Sequence, residues 1–199
     1  MVNIKDFGIG KHKKVDDSPY GGGAGMVLRT EPTINAIRHG ETFIAKEKTR
    51  KVLLTPQGRL FKQSIAKDLA TSGETITLIC GRYEGFDERI RNYVDDEISI
   101  GEFVMLGGEV AAMAVVESVS RLLPNVIGNI DSLEHETFND GLLEAAQYTR
   151  PSTFEGLNVP DVLMSGNHKA ISDWRRNSSL LKTKQRRPDL LAQKEPKTI

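Results

Sequence analysis

The stretch KVLLTPQGRLFKQSIAKDLATSGETITLIC, Lys51 to Cys80, decides the fold class. It opens on a compact apolar run, Lys51-Val52-Leu53-Leu54, which reads as a strand buried on both faces and stopped by Thr55-Pro56-Gln57-Gly58. Leu60, Phe61, Ile65 and Leu69 then recur at helical spacing, predicting a helix from Leu60 to Thr71 ended by Gly73. Thr75 to Cys80 is rich in β-formers and predicts a second strand. The alternation continues downstream. Gly81 to Gly85 is a loop, Phe86 to Tyr93 a short charged helix, and Glu97 to Gly101 a third strand. Phe103 to Leu106 runs into Gly107-Gly108, and an apolar helix from Glu109 to Leu123 closes at Pro124. Strands alternating with helices predict an α/β domain with a mostly parallel sheet. Ligands of such sheets sit at the carboxyl ends of the strands. Three of those ends carry glycine-bearing loops: Thr55–Gly58, Gly81–Gly85 and Gly101–Gly108.

Upstream, Met1 to Asp17 is a polar lead-in and Pro19 to Met26 a glycine-rich loop. Glu31 to Arg38 predicts a short helix ended by Gly40, and Glu41 to Arg50 a polar loop. Downstream, Asn125 to Asn139 lacks periodicity and reads as a linker, its interdomain part at residues 128–139. A small helical module occupies 140–199: a loop through Tyr148-Thr149-Arg150-Pro151 to Pro160, a helix over Asn167–Lys182 capped by Ser165, and a last helix over Pro188–Gln193. Residues 1–127 form the α/β domain.

The composition is that of a globular chain: of 199 residues, 38% are hydrophobic and 27% charged. No apolar run approaches the roughly 20 residues of a membrane-spanning helix. The N-terminus is polar and basic, without the apolar core of a secretory signal. The single Cys80 cannot pair internally, and no Cys and His cluster has zinc spacing, so a reducing cytoplasm is expected and no metal ligands are assigned. Net charge is zero but unevenly spread, with nine basic residues against three acidic ones from Lys169 to Ile199. A basic terminal module fits a polyanionic partner, nucleic acid first, and equally a solvated helix surface.

Several chemistries are absent. There is no phosphate-binding G-x-x-x-x-G-K-[ST] loop, no dinucleotide fingerprint and no G-x-S-x-G. The four histidines, His12, His39, His135 and His168, are scattered.

Read together, the motifs become specific. Val15-Asp16-Asp17-x-Pro19-Tyr20-Gly21-Gly22-Gly23-x-Gly25-Met26 resembles the signature loop of the TrmD family, the bacterial tRNA (guanine-N1)-methyltransferases. The likeness continues in order through Thr55-Pro56-Gln57-Gly58-Arg59, Cys80-Gly81-Arg82-Tyr83-Glu84-Gly85-x-Asp87-Glu88-Arg89 and Ser99-Ile100-Gly101-Glu102-Phe103-Val104. Gly107-Gly108-Glu109, Ser118-Val119-Ser120-Arg121, Tyr148-Thr149-Arg150-Pro151, Leu163 to His168 and Arg186 to Leu191 complete it. The resemblance implies a SPOUT-type α/β domain with a deep trefoil knot that binds S-adenosylmethionine (AdoMet), and a helical C-terminal domain that grips tRNA. It also implies a cytoplasmic homodimer with each active site built from both chains, and a linker that closes over the site. The reaction implied is methylation of N1 of the guanosine beside the anticodon when another guanosine precedes it. Two readings stay open beside it: a non-catalytic RNA-binding dimer, and a SPOUT methyltransferase acting on another RNA.

Against the family pattern, the first strand and helix are expected to be missing, Met1 to Phe7 resembling a region that members reach some thirty residues in. Ala24 and Ala111 stand where Pro is common, Phe103 where many members have Tyr, and Glu136 at the place of the catalytic Asp. The resemblance assigns Glu136 as the base and Arg121 as the cation that stabilises the guanine. The chemistry suits those types, because guanine N1 carries a proton at neutral pH and the departing proton leaves charge on oxygen 6. A role for Mg2+ in that step stays open. For AdoMet the assigned residues are Leu54, Pro56, Gly81, Glu84, Ser99, Ile100, Gly101, Glu102, Phe103, Val104, Met105, Gly107 and Gly108, with Glu84 and Ser99 as hydrogen-bonding candidates. For tRNA they are Asp16, Gly25, Ser165, Asn167, His168 and Arg175. Trp174 reads as packing.

Overall fold

The computed structural model describes residues 1–44, 48–128 and 136–192. The chain divides into two compact units, Met1–Ile127 and Gly128–Ile199.

The first unit is α/β. After a 3-10 turn at Ile4–Phe7, β1 (Asp16–Asp17) and β2 (Val27–Leu28) form a small antiparallel pair, so the polar lead-in is more ordered than its composition suggests. Helix α1 spans Thr30–Glu41. It does not stop at Gly40 as expected. It runs one residue further, and at its C-cap the Thr42 hydroxyl donates to His39 O at 2.7 Å. Then come β3 (Thr49–Leu60), α2 (Gln63–Thr71), β4 (Thr75–Cys80), a 3-10 turn at Glu88–Tyr93, β5 (Asp96–Ser99) and α3 (Glu109–Ser120). The sheet has the order β4-β3-β5, and both pairings are parallel.

The central strand β3 explains the layering. Val52 and Leu54 pack with Ile65 and Leu69 of α2 and with Ala111 and Val115 of α3. Leu53 packs with Ile37 of α1, Ile79 and Ile90. Alternate residues of one strand thus serve two faces. Each Val, Leu or Ile side chain so removed from water contributes about 1.5–3 kcal/mol.

Two sequence expectations need correction here. The strand does not stop at Thr55: it runs to Leu60, with both Leu54 and Arg59 registered against Ile98. Residues 55–58 therefore bulge out of the ladder, which accommodates Pro56, a residue with no N–H to give. The helix expected from Leu60 starts at Gln63, because Leu60 and Phe61 still follow β5; Phe61 N–H donates to Ser99 O at 2.7 Å.

The second unit contains a hairpin, β6 (Thr153–Phe154) and β7 (Leu157–Asn158), then α4 (Asp161–Met164), α5 (His168–Arg186) and α6 (Pro188–Ala192). Neither the hairpin nor α4 is apparent from the sequence pattern. The cap of α5 is Asn167, whose side chain accepts from Ala170 N–H at 3.1 Å, and not Ser165. Ser165 instead accepts the Asn167 N–H at 3.1 Å and donates to Val162 O at the end of α4. Part of the backbone of the irregular segment 142–146 is satisfied by α5 side chains, the Leu142 and Glu144 N–H groups going to Asp140 and Thr137. Leu143 N–H donates to the fully buried Thr183 hydroxyl at 2.9 Å, and Ala146 N–H to Ser178 at 3.0 Å. The Ser179 hydroxyl donates to Leu143 O. Polar side chains here complete the backbone bonding that a strand or helix would otherwise supply.

Candidate active site

In the first unit the loops after β4 and β5 leave the same edge of the parallel sheet, level with Leu54, where the 55–58 bulge departs from β3. The loop after β4 lies against the loop that precedes α3. Gly108 N–H donates to Gly81 O at 2.9 Å, and Arg82 and Gly107 form an isolated antiparallel bridge. At Gly108 the approach is backbone to backbone, and at Gly81 it is backbone to ring. A Cβ on Gly108 would stand 2.9 Å from Cys80 Cα and 3.0 Å from Gly81 N, and one on Gly81 would stand 2.6 Å from the Phe86 ring. Glycine is needed at these positions for want of room, since φ at Gly108 is an ordinary −85°.

The third loop is fixed by Ser99. Its hydroxyl donates to Gly101 O at 2.9 Å and the Gly101 N–H approaches it at 3.3 Å, so the buried Ser99 shapes the turn from within. Ile100 and Met105 pack on the core, while Glu102, Phe103, Val104 and Leu106 face solvent. The Phe103 ring lies over Gly101, where a Cβ would collide with it.

The bulge at 55–58 is held by charge. Asp96, nine-tenths buried, accepts from Arg50 at 3.0 Å and from both Nε and Nη2 of Arg59, at 2.9 and 2.5 Å. Arg50 and Arg59 stand on either side of the bulge, so one carboxylate ties its two ends. Arg91 donates to the Gln57 side chain at its tip and to Glu97. Gly58 packs on β5, where a Cβ would lie 2.5 Å from the Glu97 carbonyl carbon. Burial pushes the Asp96 carboxyl up, but the Arg59 hydrogen bonds and the charges of Arg59 and Arg50 more than offset it, leaving it below the ordinary carboxylate value. Sequence reasoning missed this clamp. Arg59 belongs to a quoted motif, but its partner lies 37 residues away.

The glycine-rich loop joins this cluster. It links β1 to β2, with Gly21, Gly22, Gly23 and Gly25 all at positive φ. Glu84 N–H donates to Met26 O at 3.0 Å, Leu28 N–H to Gly85 O at 2.9 Å, and Gly25 abuts the Glu84 carboxylate. Residues assigned to different ligands, Gly25 to RNA and Glu84 to AdoMet, are thus neighbours. Asp16, half-buried, registers against Leu28 at the base of the loop. Tyr20 at its tip is fully exposed. The Cys80 thiol beneath is pushed up by burial and by the nearby Glu109 charge, so it stays protonated and unreactive at neutral pH.

Arg121 caps α3, its N–H reaching Glu117 O at 3.5 Å.

In the second unit a groove of about 1680 Å³ is lined by Glu136, Tyr148, Arg150, His168, Arg175 and Arg176 among others. It gathers three residues assigned from sequence (Glu136, His168 and Arg175) and adds Tyr148, Arg150 and Arg176, which were not. Ser165 and Asn167 are outside the lining and are engaged in capping. Trp174 packs on Tyr148, ring centroids 6.2 Å apart. Most of the 128–139 linker, including His135, lies outside the described residues. Among the described residues no group of three or more His, Cys, Asp or Glu is placed to hold a metal.

Residues 1–193 match the profile of the family described as tRNA (Guanine-1)-methyltransferase TrmD. The chain belongs to that family. Its curated relatives agree. A protein named tRNA (guanine-N(1)-)-methyltransferase from Syntrophotalea carbinolica is 54% identical over 189 residues, covering 95% of this chain and 75% of the relative. One of the same name from Staphylococcus carnosus is 55% identical over 192 residues, covering 96% and 77%. One from Symbiobacterium thermophilum is 53% identical over 193 residues, covering 96% and 78%. Family membership converts the strand-edge loops from a generic ligand site into a candidate methyl-donor site. The mixed α/β unit with its parallel sheet agrees with it.

Proposed function

We propose that this chain is an AdoMet-dependent methyltransferase that methylates N1 of guanosine 37 of tRNA when a guanosine precedes it. The observation that carries the reading is that three loops leave one edge of a parallel sheet with glycines at Gly58, Gly81, Gly101 and Gly108 where a Cβ has no room, in a chain of this family. Leu54, Pro56, Gly81, Glu84, Ile100, Gly101, Glu102, Phe103, Val104, Met105, Gly107 and Gly108 would hold AdoMet, with Ser99 fixing the loop from beneath. AdoMet when bound supplies an electrophilic methyl group. The protein has then to orient the base, remove the N1 proton and balance the charge that its loss creates.

Glu136 takes the N1 proton and Arg121 faces the negative charge that develops on the ring. Glu136 lies half-buried on the groove wall. A guanidinium keeps its charge at any pH of interest. Asp16 and the Gly21–Gly25 loop border the target base. Ser165, Asn167, His168 and Arg175 contact the RNA, and the basic face of the second unit supplies phosphate contacts. The proposed partner is tRNA, in a cytoplasmic homodimer with the knotted family topology and a shared active site. Support for the dimer comes from α3, which exposes Val110, Met113 and Val116 at helical spacing on one face, and from the exposed Val104 and Leu106 before it. No helix among the described residues is long and apolar enough to cross a membrane.

The test is transfer of labelled methyl from AdoMet to a tRNA with two adjacent guanosines beside the anticodon. Incorporation that disappears when the first guanosine is replaced by adenosine supports the assignment. Indifference to that base points to another RNA. Binding of both ligands with no transfer points to a non-catalytic RNA-binding protein.

A further inference from the structure

The basic stretch at the N-terminus has no part in the chemistry above, yet it is built. Ile9 and Lys14 pair antiparallel: Ile9 N–H donates to Lys14 O at 2.9 Å and Lys14 N–H to Ile9 O at 3.0 Å. Inside that pair Lys13 N–H donates to Gly10 O at 3.1 Å, with Gly10 and Lys13 both at positive φ. Gly8 lies so close under the turn that a Cβ on it would overlap the Lys13 backbone. The result is a closed turn presenting Lys11, His12, Lys13 and Lys14, all exposed.

None of the three lysines forms an ion pair with a described residue. The nearest acid in sequence whose pairing is seen, Asp17, is taken by Arg29 at 3.4 Å. Three like charges on one tight turn repel each other, and no carboxylate among the described residues pairs with them. A polyanion would. Position favours one polyanion over others. The turn continues directly into β1, tied to the body by Arg29 N–H on Val15 O at 2.8 Å, and β1 leads into the glycine-rich loop. At roughly 3.5 Å per residue, Lys14 lies within about 25 Å of Gly21, well inside the span of a folded RNA arm.

We propose that the Lys11–Lys14 turn is a phosphate-binding surface for the substrate RNA, carried by the first unit and separate from the basic helical unit. This rests on the tRNA reading above. The preformed turn spends little ordering entropy on contact.

The experiment compares the full-length chain with a Lys11→Gln/Lys13→Gln/Lys14→Gln variant. tRNA affinity is measured from low to moderate salt, and AdoMet affinity alongside. Loss of each phosphate contact lowers the slope of log K against log salt by about 0.7–0.9, so the variant should lose about 2 from the slope. Its low-salt tRNA affinity should fall at least tenfold, with the AdoMet dissociation constant unchanged. The Lys11→Arg/Lys13→Arg/Lys14→Arg variant, which keeps charge, should keep the wild-type slope. A wild-type chain that binds tRNA beside a glutamine variant of equal slope and affinity overturns this proposal alone. A wild-type chain that binds no tRNA defeats the methyltransferase reading and this one with it. Loss of binding to phosphatidylserine vesicles with tRNA affinity intact overturns it in favour of a lipid surface.

Discussion

Asp96→Asn tests whether the charge clamp holds the loop assigned to AdoMet. The substitution keeps the shape of the side chain but removes its charge, and turns one acceptor into an amide donor facing a guanidinium. Asp96 accepts three hydrogen bonds from Arg50 and Arg59 and one from the Glu97 N–H at 2.9 Å. Bonds to charged groups contribute about 1.5–3 kcal/mol each. Arg59 is about half exposed, so water screens its share, and Arg50 retains Asp68 at 2.7 Å. The net loss is about 2 kcal/mol. With a urea slope of roughly 2 kcal/mol/M this moves the unfolding midpoint down by about 1 M. Residues 55–58 then lose the tie between their ends, so KM for AdoMet should rise about tenfold while KM for tRNA moves far less. The pH dependence has a fixed sign. A carboxyl held below its ordinary value stabilises the fold above about pH 4 and loses that contribution as pH falls through the lowered value. The stability gap between wild type and Asp96→Asn should therefore be constant near neutrality and close in acid. An unchanged midpoint, or equal rises in the two KM values, would refute the clamp.

Other variants probe the site separately. Glu136→Gln should lower kcat by about 10²–10⁴ with AdoMet affinity intact, and Arg121→Ala should lose turnover far more than AdoMet affinity, both read by single-turnover methyl transfer. Gly108→Ala places a Cβ 2.9 Å from Cys80 Cα, so the two loops must part; titration of AdoMet should show at least a tenfold weaker dissociation constant, with the helical unit as stable as before. Thr183→Val leaves the Leu143 N–H without its acceptor in a fully buried place, costing about 1–3 kcal/mol in urea unfolding of the second unit.

What the sequence discloses follows the range of the forces involved. Strand β4 is legible to the residue, because Thr75 to Cys80 is a self-contained β-rich run between glycines. The glycine-bearing loops after β4 and β5 are legible as strand ends, since alternation of strand and helix places them there. The continuation of β3 past Pro56 is not, because it depends on Asp96 reaching Arg59 and on Gly58 fitting the backbone of β5. The β6–β7 hairpin is hidden for another reason. Its turn is Glu155-Gly156, both at positive φ, so a left-handed Glu stands where Asn or Asp would have signalled the turn. The cap of α5 is misread because Ser165 and Asn167 both suit the role, and only the direction of the Asn167 carbonyl toward Ala170 decides. In the groove, Arg150 stands in a motif without an assigned role and Arg176 is one of many cations, until the fold sets both in one lining with Glu136 and His168.

The nucleoside formed tests the account most directly. N1 of guanine must lose a proton before it can accept a methyl group, whereas N7 has a free lone pair and needs no base, so the position of the methyl reports whether a carboxylate acts. Digestion of tRNA methylated by this protein, followed by mass spectrometry of the nucleosides, should give 1-methylguanosine as the product and almost none with Glu136→Gln. Methyl found on N7 or on a ribose hydroxyl, or 1-methylguanosine formed equally well by Glu136→Gln, would contradict the account.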